Sequence, residues 1–242
     1  SPDGKRVALS KGRRVANVWR VPILQNRRAT WADAVQLTFE QALVGDVDVT
    51  PDGQRLVVTS DRTGRPELWL LSTEGGEMQQ LTTDPTPDWS GAFSPNGEEV
   101  VFYSFRSGNR NIWARSAAGG PARRITTGEA QDYYPRVSPD GREIAFMSTL
   151  SGNQDIWVVP SEPGEARQVT THPAQDWQPV WSPDGSWLVF PSERSGMALW
   201  RVKATGEALE PLTEGPAFSP AYSTDGTRVY FVGLLEREGN LW

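Results

Sequence analysis

One four-residue turn recurs six times along this chain: SPDG at Ser1, TPDG at Thr50, SPNG at Ser94, SPDG at Ser138 and at Ser182, and STDG at Ser223. The turns start 49, 44, 44, 44 and 41 residues apart, and two further marks keep step with them. An apolar-Trp pair falls at Val18-Trp19, Leu68-Trp69, Ile112-Trp113, Ile156-Trp157, Leu199-Trp200 and Leu241-Trp242. An apolar-Thr pair falls at Leu37-Thr38, Leu81-Thr82, Ile125-Thr126, Val169-Thr170 and Leu212-Thr213. Three marks in a fixed order at one period mean that a single supersecondary unit is copied and stacked.

Ser-Pro-Asp-Gly suits a tight turn, because Pro presets φ at the second position, Asp bonds nearby backbone amides, and Gly accepts positive φ. Each turn therefore joins two strands. The strand after it is apolar on consecutive positions, as in Leu56-Val57-Val58, Val100 to Tyr103, Ile144 to Met147, Leu188 to Phe190 and Val229 to Val232. Consecutive rather than alternating apolar residues predict burial on both faces of the sheet. A second turn rich in Ser, Arg and Gly follows at 60–64, 104–108, 148–152 and 192–196, then the Trp strand, a Gly-rich loop and an outer strand ending in the Thr pair.

Four short antiparallel strands per repeat, in sheets covered on both faces, predict an all-β chain: a β-propeller of six four-stranded antiparallel blades. A β-helix would need a much shorter period, and a two-sheet sandwich would leave one polar face per strand. The marks place the blades at about 1–42, 43–86, 87–130, 131–174, 175–215 and 216–242 in one domain. The first and last blades are expected to be incomplete, the first without its innermost strand and the last without its outermost. The reading is of a segment of a longer chain.

Charge narrows the partners. With 30 acidic against 24 basic residues the net charge is -6, which argues against nucleic acid as the main partner. Charges interrupt every strand-like segment, so no membrane insertion is expected. Zero cysteines exclude disulfides, thiolate metal sites and a cysteine nucleophile.

Six residues before the turn Ser stand Asp88, Asp132 and Asp176, with Val44 and Ala217 at the same place in two other repeats. In a propeller this position would rim the mouth of the central channel. Two readings stay open: carboxylates around an axis could hold a cation or a basic group, or Arg62, Arg106 and Arg194 in loops on the same face could pair with them across blades. One residue on stand Trp89, Tyr133, Trp177 and Phe218, either filling the gap between blades or serving as aromatic anchors for a peptide or sugar. The turn aspartates Asp3, Asp52, Asp140, Asp184 and Asp225 are explained by turn chemistry, and the repeated Trp residues by the core. The extra residues at 25–31 put Trp31 beside Arg27 and Arg28, exposed to a partner or folded back on the sheet.

Together these motifs resemble the TolB-like propeller repeat, a relative of WD-type repeats, over essentially the whole chain. The resemblance implies a periplasmic or extracytoplasmic bacterial protein that binds a protein or peptide partner as a scaffold or sensor, without cofactor, metal or catalytic residues. Similar repeats occur in regulators, in gating propellers of prolyl-oligopeptidase-type and tricorn-type proteases, and in oligogalacturonate lyase. The lyases use several histidines around a metal, whereas this chain has only His172. No Gly-x-Ser-x-Gly nucleophile elbow occurs. The expected function is therefore noncatalytic binding through the channel-mouth face, with substrate gating for a larger peptidase and small-ligand or sugar sensing as the alternatives.

Overall fold

The structure is a computed structural model that describes residues 6–11, 15–235 and 238–241, with side chains for 15–233. The first turn motif with Asp3, and Trp242, lie outside the described residues. The chain divides into two compact units, one of residues 1–108 and 114–123, the other of 109–113 and 124–242, so that the division passes through the third repeat.

In the first unit, β1 (Arg6–Lys11), β2 (Asn17–Pro22) and β3 (Val35–Gln36) form a three-stranded antiparallel sheet. The strands β4 (Val44–Val49), β5 (Arg55–Ser60), β6 (Glu67–Ser72) and β7 (Gln79–Gln80) form a four-stranded one. The third repeat follows, with β8 (Asp88–Phe93) pairing antiparallel with β9 (Glu99–Ser104). Its strands β10 (Asn111–Ser116) and β11 (Arg123–Arg124) carry residues of both units.

In the second unit, β12 (Asp132–Val137), β13 (Glu143–Ser148), β14 (Asp155–Pro160) and β15 (Arg167–Gln168) pair in chain order. So do β16 (Val180–Trp181), β17 (Trp187–Ser192), β18 (Ala198–Lys203) and β19 (Glu210–Pro211). The last sheet has three strands, β20 (Ala217–Tyr222), β21 (Val229–Leu235) and β22 (Glu238–Leu241). Three-stranded first and last sheets are what the spacing of the marks requires.

The core explains the consecutive apolar runs. On β17, Leu188 and Phe190 pack with Ile156, Val158 and Val169 of the preceding repeat, whereas Val189 between them packs with Leu199, Ala217 and Phe231 toward the following one. Adjacent residues of one strand point to opposite faces, so both must be apolar when both faces are covered. The first unit repeats the pattern, with Val18 and Leu37 of the first sheet against Val44, Leu56, Val58 and Trp69 of the second.

The turns behave as their residues dictate. Asp52, Asp140, Asp184 and Asp225 each accept the hydroxyl of the turn Ser or Thr two residues earlier at 2.5–2.6 Å, and each also accepts a backbone N–H two residues on. The glycine closing these turns sits at φ between 69° and 77°, open to Gly at little cost.

Candidate partner-binding end of the repeats

The first strand of each repeat carries a feature invisible in its residue types. Asp46, Ser90, Tyr134, Gln178 and Ser219 stand at equivalent positions with φ between 42° and 52°, in the left-handed region. Around them the pairing slips between Gly45 and Asp48, Trp89 and Ala92, Tyr133 and Arg136, and Phe218 and Ala221. Each is a β-bulge that re-aims the side chains beside it. A non-Gly residue held there costs of order 1 kcal/mol and persists only where surrounding contacts impose it.

Those contacts begin one or two residues earlier, at the aspartates. Asp88, Asp132 and Asp176 are 0, 3 and 0% exposed, so they lie beneath the surface rather than on a rim. Each is clasped by its neighbours. The serine ending the second strand of its own repeat, Ser104, Ser148 or Ser192, stands directly opposite it in the strand pairing. In the fourth repeat the threonine of the preceding repeat's Thr pair adds a bond, Thr126 Oγ1 donating to Asp132 Oδ2 at 2.6 Å, whereas Thr170 Oγ1 donates to Asp155 of its own repeat at 3.2 Å. The oxygen of the Thr-pair threonine, Thr82, Thr126 or Thr170, accepts the backbone N–H of the Trp strand in its own repeat, Leu68, Ile112 or Ile156, at 2.9 Å. Thr126 is thus a latch between the third and fourth repeats.

The arginines complete two of the three clasps, and both pairs stay within one repeat instead of crossing blades. Arg106 Nη2 lies 2.8 Å from both oxygens of Asp88, and Arg194 pairs with Asp176. Arg62 faces Val44 rather than an aspartate, so it pairs with Glu40 at 3.1 Å and covers the Trp69 ring at 4.8 Å. In the fourth repeat Leu150 stands where the arginine should be, 60% exposed, and Asp132 is held by neutral donors. Burial pushes all three carboxyls above the usual range. Leu150→Arg is therefore expected to place a guanidinium on Asp132, lower its pKa by about 1–3 units and raise stability by on the order of 1 kcal/mol. NMR titration of the Asp132 carboxyl and urea unfolding check this.

Next to the aspartates, Trp89, Tyr133 and Trp177 are half-buried, as is Phe218 beside Ala217. Trp89 stacks on Tyr103 at 5.3 Å and meets Phe105 edge-on at 5.9 Å. Tyr133 stacks on Tyr134, and Arg110 both covers its ring at 4.9 Å and donates to its hydroxyl at 2.9 Å. The Trp177 indole donates to Gln154. Trp89, Tyr133 and Trp177 are thus packed against neighbours yet keep part of their surface exposed. Trp31 packs edge-on against Trp19 at 5.6 Å yet stays 52% exposed, with Arg27 bound to Asp33. His172 is exposed and accepts the backbone N–H of Ala174 at 3.0 Å. Among the described residues, no group of three or more His, Asp or Glu could hold a metal ion.

A family model described as the TolB β-propeller domain matches residues 1–149. The chain belongs to the TolB β-propeller family. The Tricorn protease N-terminal β-propeller domain, a second family description, matches residues 107–240. Among solved structures, a TolB-type protein from Agrobacterium tumefaciens is similar at 23% identity and a TM-score of 0.78, over 97% of this chain and 88% of that one. TolB from Acinetobacter baumannii is similar at 18% identity and a TM-score of 0.81, over 97% of this chain and 59% of that one. An oligogalacturonate lyase from Vibrio parahaemolyticus shares the fold at 16% identity and a TM-score of 0.69, over 96% of this chain and 72% of that one. At these identities the likeness concerns the fold alone.

The clasps have an opposite counterpart in the turns, and the two respond to acid in opposite senses. Hydroxyl and amide donors hold Asp184 and Asp225 at about 2 and Asp52 and Asp140 below the usual range. A carboxyl with a lowered folded pKa contributes stability present above its unfolded pKa of about 4 and lost as pH falls through the folded value. The buried Asp88, Asp132 and Asp176, with raised values, favour the folded state as pH falls. Urea unfolding between pH 5 and pH 2 is expected to show the turn contribution, and Asp184→Asn should flatten that slope.

Proposed function

We propose that this TolB-family propeller is a noncatalytic module that takes a protein or peptide segment on the end of the second unit's repeats that carries Tyr133, Trp177 and Phe218, with Trp89 as the equivalent position in the first unit. The observation that supports the reading is the half-buried aromatic recurring at one position, each backed by a clasped aspartate or its apolar substitute and re-aimed by a bulge. Rigid aromatics with one packed and one open face are the usual anchors of peptide recognition, because little side-chain entropy is lost on contact. The arginines Arg62, Arg106 and Arg194 then serve the scaffold, being consumed by Glu40, Asp88 and Asp176. Among the described residues no helix is long and apolar enough to cross a membrane. Membership in the TolB family supports an extracytoplasmic location.

The test is selection of displayed random peptides on the 242-residue chain, followed by titration against Tyr133→Ser and Trp177→Ser variants whose fold is verified by circular dichroism. Micromolar binders that weaken at least tenfold in either variant are the expected result. Selected peptides that bind both variants as tightly as the parent would sink the reading, and Phe218→Ser serves if either variant unfolds. The match to the Tricorn N-terminal propeller favours a second reading, in which this module gates access to a peptidase. A coupled protease in the native polypeptide would decide for it.

A further inference from the structure

At the opposite ends of the strands, successive turns leave a gap that the repeats fill in different ways. Between the turns at Thr50 and Ser94 the filler is Arg55, five residues after the turn Thr. Its Nη2 donates to the Gly97 carbonyl at 3.0 Å and its guanidinium lies over the Phe93 ring at 5.8 Å. Between the turns at Ser138 and Ser182, the residue equivalent to Arg55 is Glu143, and that equivalent to Phe93 is Trp181. Here the gap is a cavity of about 330 Å³ walled by Pro139, Asp140, Glu143, Trp181, Pro183 and Asp184, with Gly185 in the place of Gly97. The backbones correspond closely. A Cβ set on Gly97 would lie 3.8 Å from Pro51 Cδ, and one on Gly185 would lie 3.7 Å from Pro139 Cδ.

We propose that the cavity between the Ser138 and Ser182 turns is a binding site for a guanidinium group, as carried by an arginine side chain. The gap between two turns of this fold is shaped for such a group, as Arg55 demonstrates within the same chain. The cavity is more acidic than the Arg55 gap, where Asp52 beside Arg55 matches Asp140 but Asn96 stands in place of Asp184 and Arg55 itself in place of Glu143. Asp184 is ionised by neutral donors alone, the Ser182 and Ser186 hydroxyls and the Ser186 N–H. Asp140 is bonded to Ser138 and Arg142, whose guanidinium reaches only to 4.0 Å and is otherwise in solvent. Glu143 is met by Arg167 of β15 at 3.0 Å from both oxygens, and Arg167 is not among the cavity walls. Two carboxylates thus remain for an incoming cation, charge-assisted bonds being stronger than neutral ones. The Trp181 indole, fixed by donation to the Arg136 carbonyl at 2.9 Å, supplies an aromatic wall like that of Phe93. The site is independent of the aromatic end of the repeats.

The experiment is NMR titration of the ¹⁵N-labelled chain with N-acetyl-arginine methylamide, with agmatine, and with N-acetyl-glutamine methylamide as the neutral control. Saturable shifts of the Gly185 amide and the Trp181 indole N–H are expected for both guanidinium probes, with Kd of about 10 mM or tighter. Tighter binding of the capped arginine assigns the site to a polypeptide side chain, and tighter binding of agmatine to a free metabolite; either upholds it. Glu143→Arg supplies the internal filler that Arg55 provides and should weaken the probes at least tenfold. Should that variant not fold, Asp140→Asn with Glu143→Gln must weaken them as much. Equal shifts with the glutamine control, no saturation up to about 100 mM, or unchanged binding by the variant would overturn the proposal.

Discussion

Arg194→Ala is expected to lower the free energy of unfolding by about 3–5 kcal/mol, the usual cost of stripping one partner from a buried ion pair. Both groups are withdrawn from water, Arg194 with 4% of its side chain exposed and Asp176 with none. The guanidinium also lies 5.7 Å from the Phe190 ring centre and 5.4 Å from that of Trp200, so alanine removes packing as well as charge. The remaining carboxylate would stay desolvated without the guanidinium that holds it. Two controls separate charge from packing. Asp176→Val with Arg194→Leu should cost much less than Arg194→Ala alone, since Val44 fills the equivalent position in the second repeat with no exposed surface. The Arg194→Ala deficit should also shrink on acidification, because a carboxyl whose folded pKa is raised penalises folding only once pH exceeds its unfolded value. Urea unfolding at pH 4 and pH 7 reads both. A deficit under 1 kcal/mol at pH 7 would mean that Asp176 is already protonated there.

Phe190→Ala should cost a similar 3–5 kcal/mol, by a different route. Phe190 has no exposed surface and packs with Ile156, Val158 and Val169, so it belongs to the interface between two repeats rather than to one sheet. A cavity there removes contacts that hold neighbouring repeats together, and stability in stacked repeats resides in such nearest-neighbour terms. Phe190→Leu, nearer in volume, is expected to cost less than about 1.5 kcal/mol. Because Phe190 also lies under Arg194, the two alanine substitutions should be non-additive by about 0.5–3 kcal/mol, which a double-mutant cycle measures.

Most of the scaffold was legible in the residues because its signals are local. A turn of Pro, Asp and Gly closes on its own hydrogen bonds, and Thr50 with Asp52 or Ser182 with Asp184 bond as any such sequence would. The doubly buried strands follow from runs such as Leu188-Val189-Phe190, whose alternate residues enter different clusters. The aspartate and aromatic positions of the candidate end were also found by counting from the turn. Their settings were not, because whether Asp88 lies at the surface or beneath it depends on Arg106, 18 residues on.

The sequence by itself determined the repeat, the turn chemistry, the strand order within each repeat and the mixture of Asp and aromatic residues at one end. Only the tertiary structure decided that Asp46, Ser90, Tyr134, Gln178 and Ser219 adopt left-handed backbone, since none of these residue types prefers it enough to announce it. It alone decided that Asp132 lacks the ion pair of its equivalents, that Thr126 latches the third repeat to the fourth, and that Glu143 borders a cavity where Arg55 fills one. The physical reason is the same in each case. Local propensity acts within a few residues, whereas bulges, buried carboxylates and cavities are settled by groups 6 to 42 residues apart along the chain that meet only when strands and repeats pack on one another.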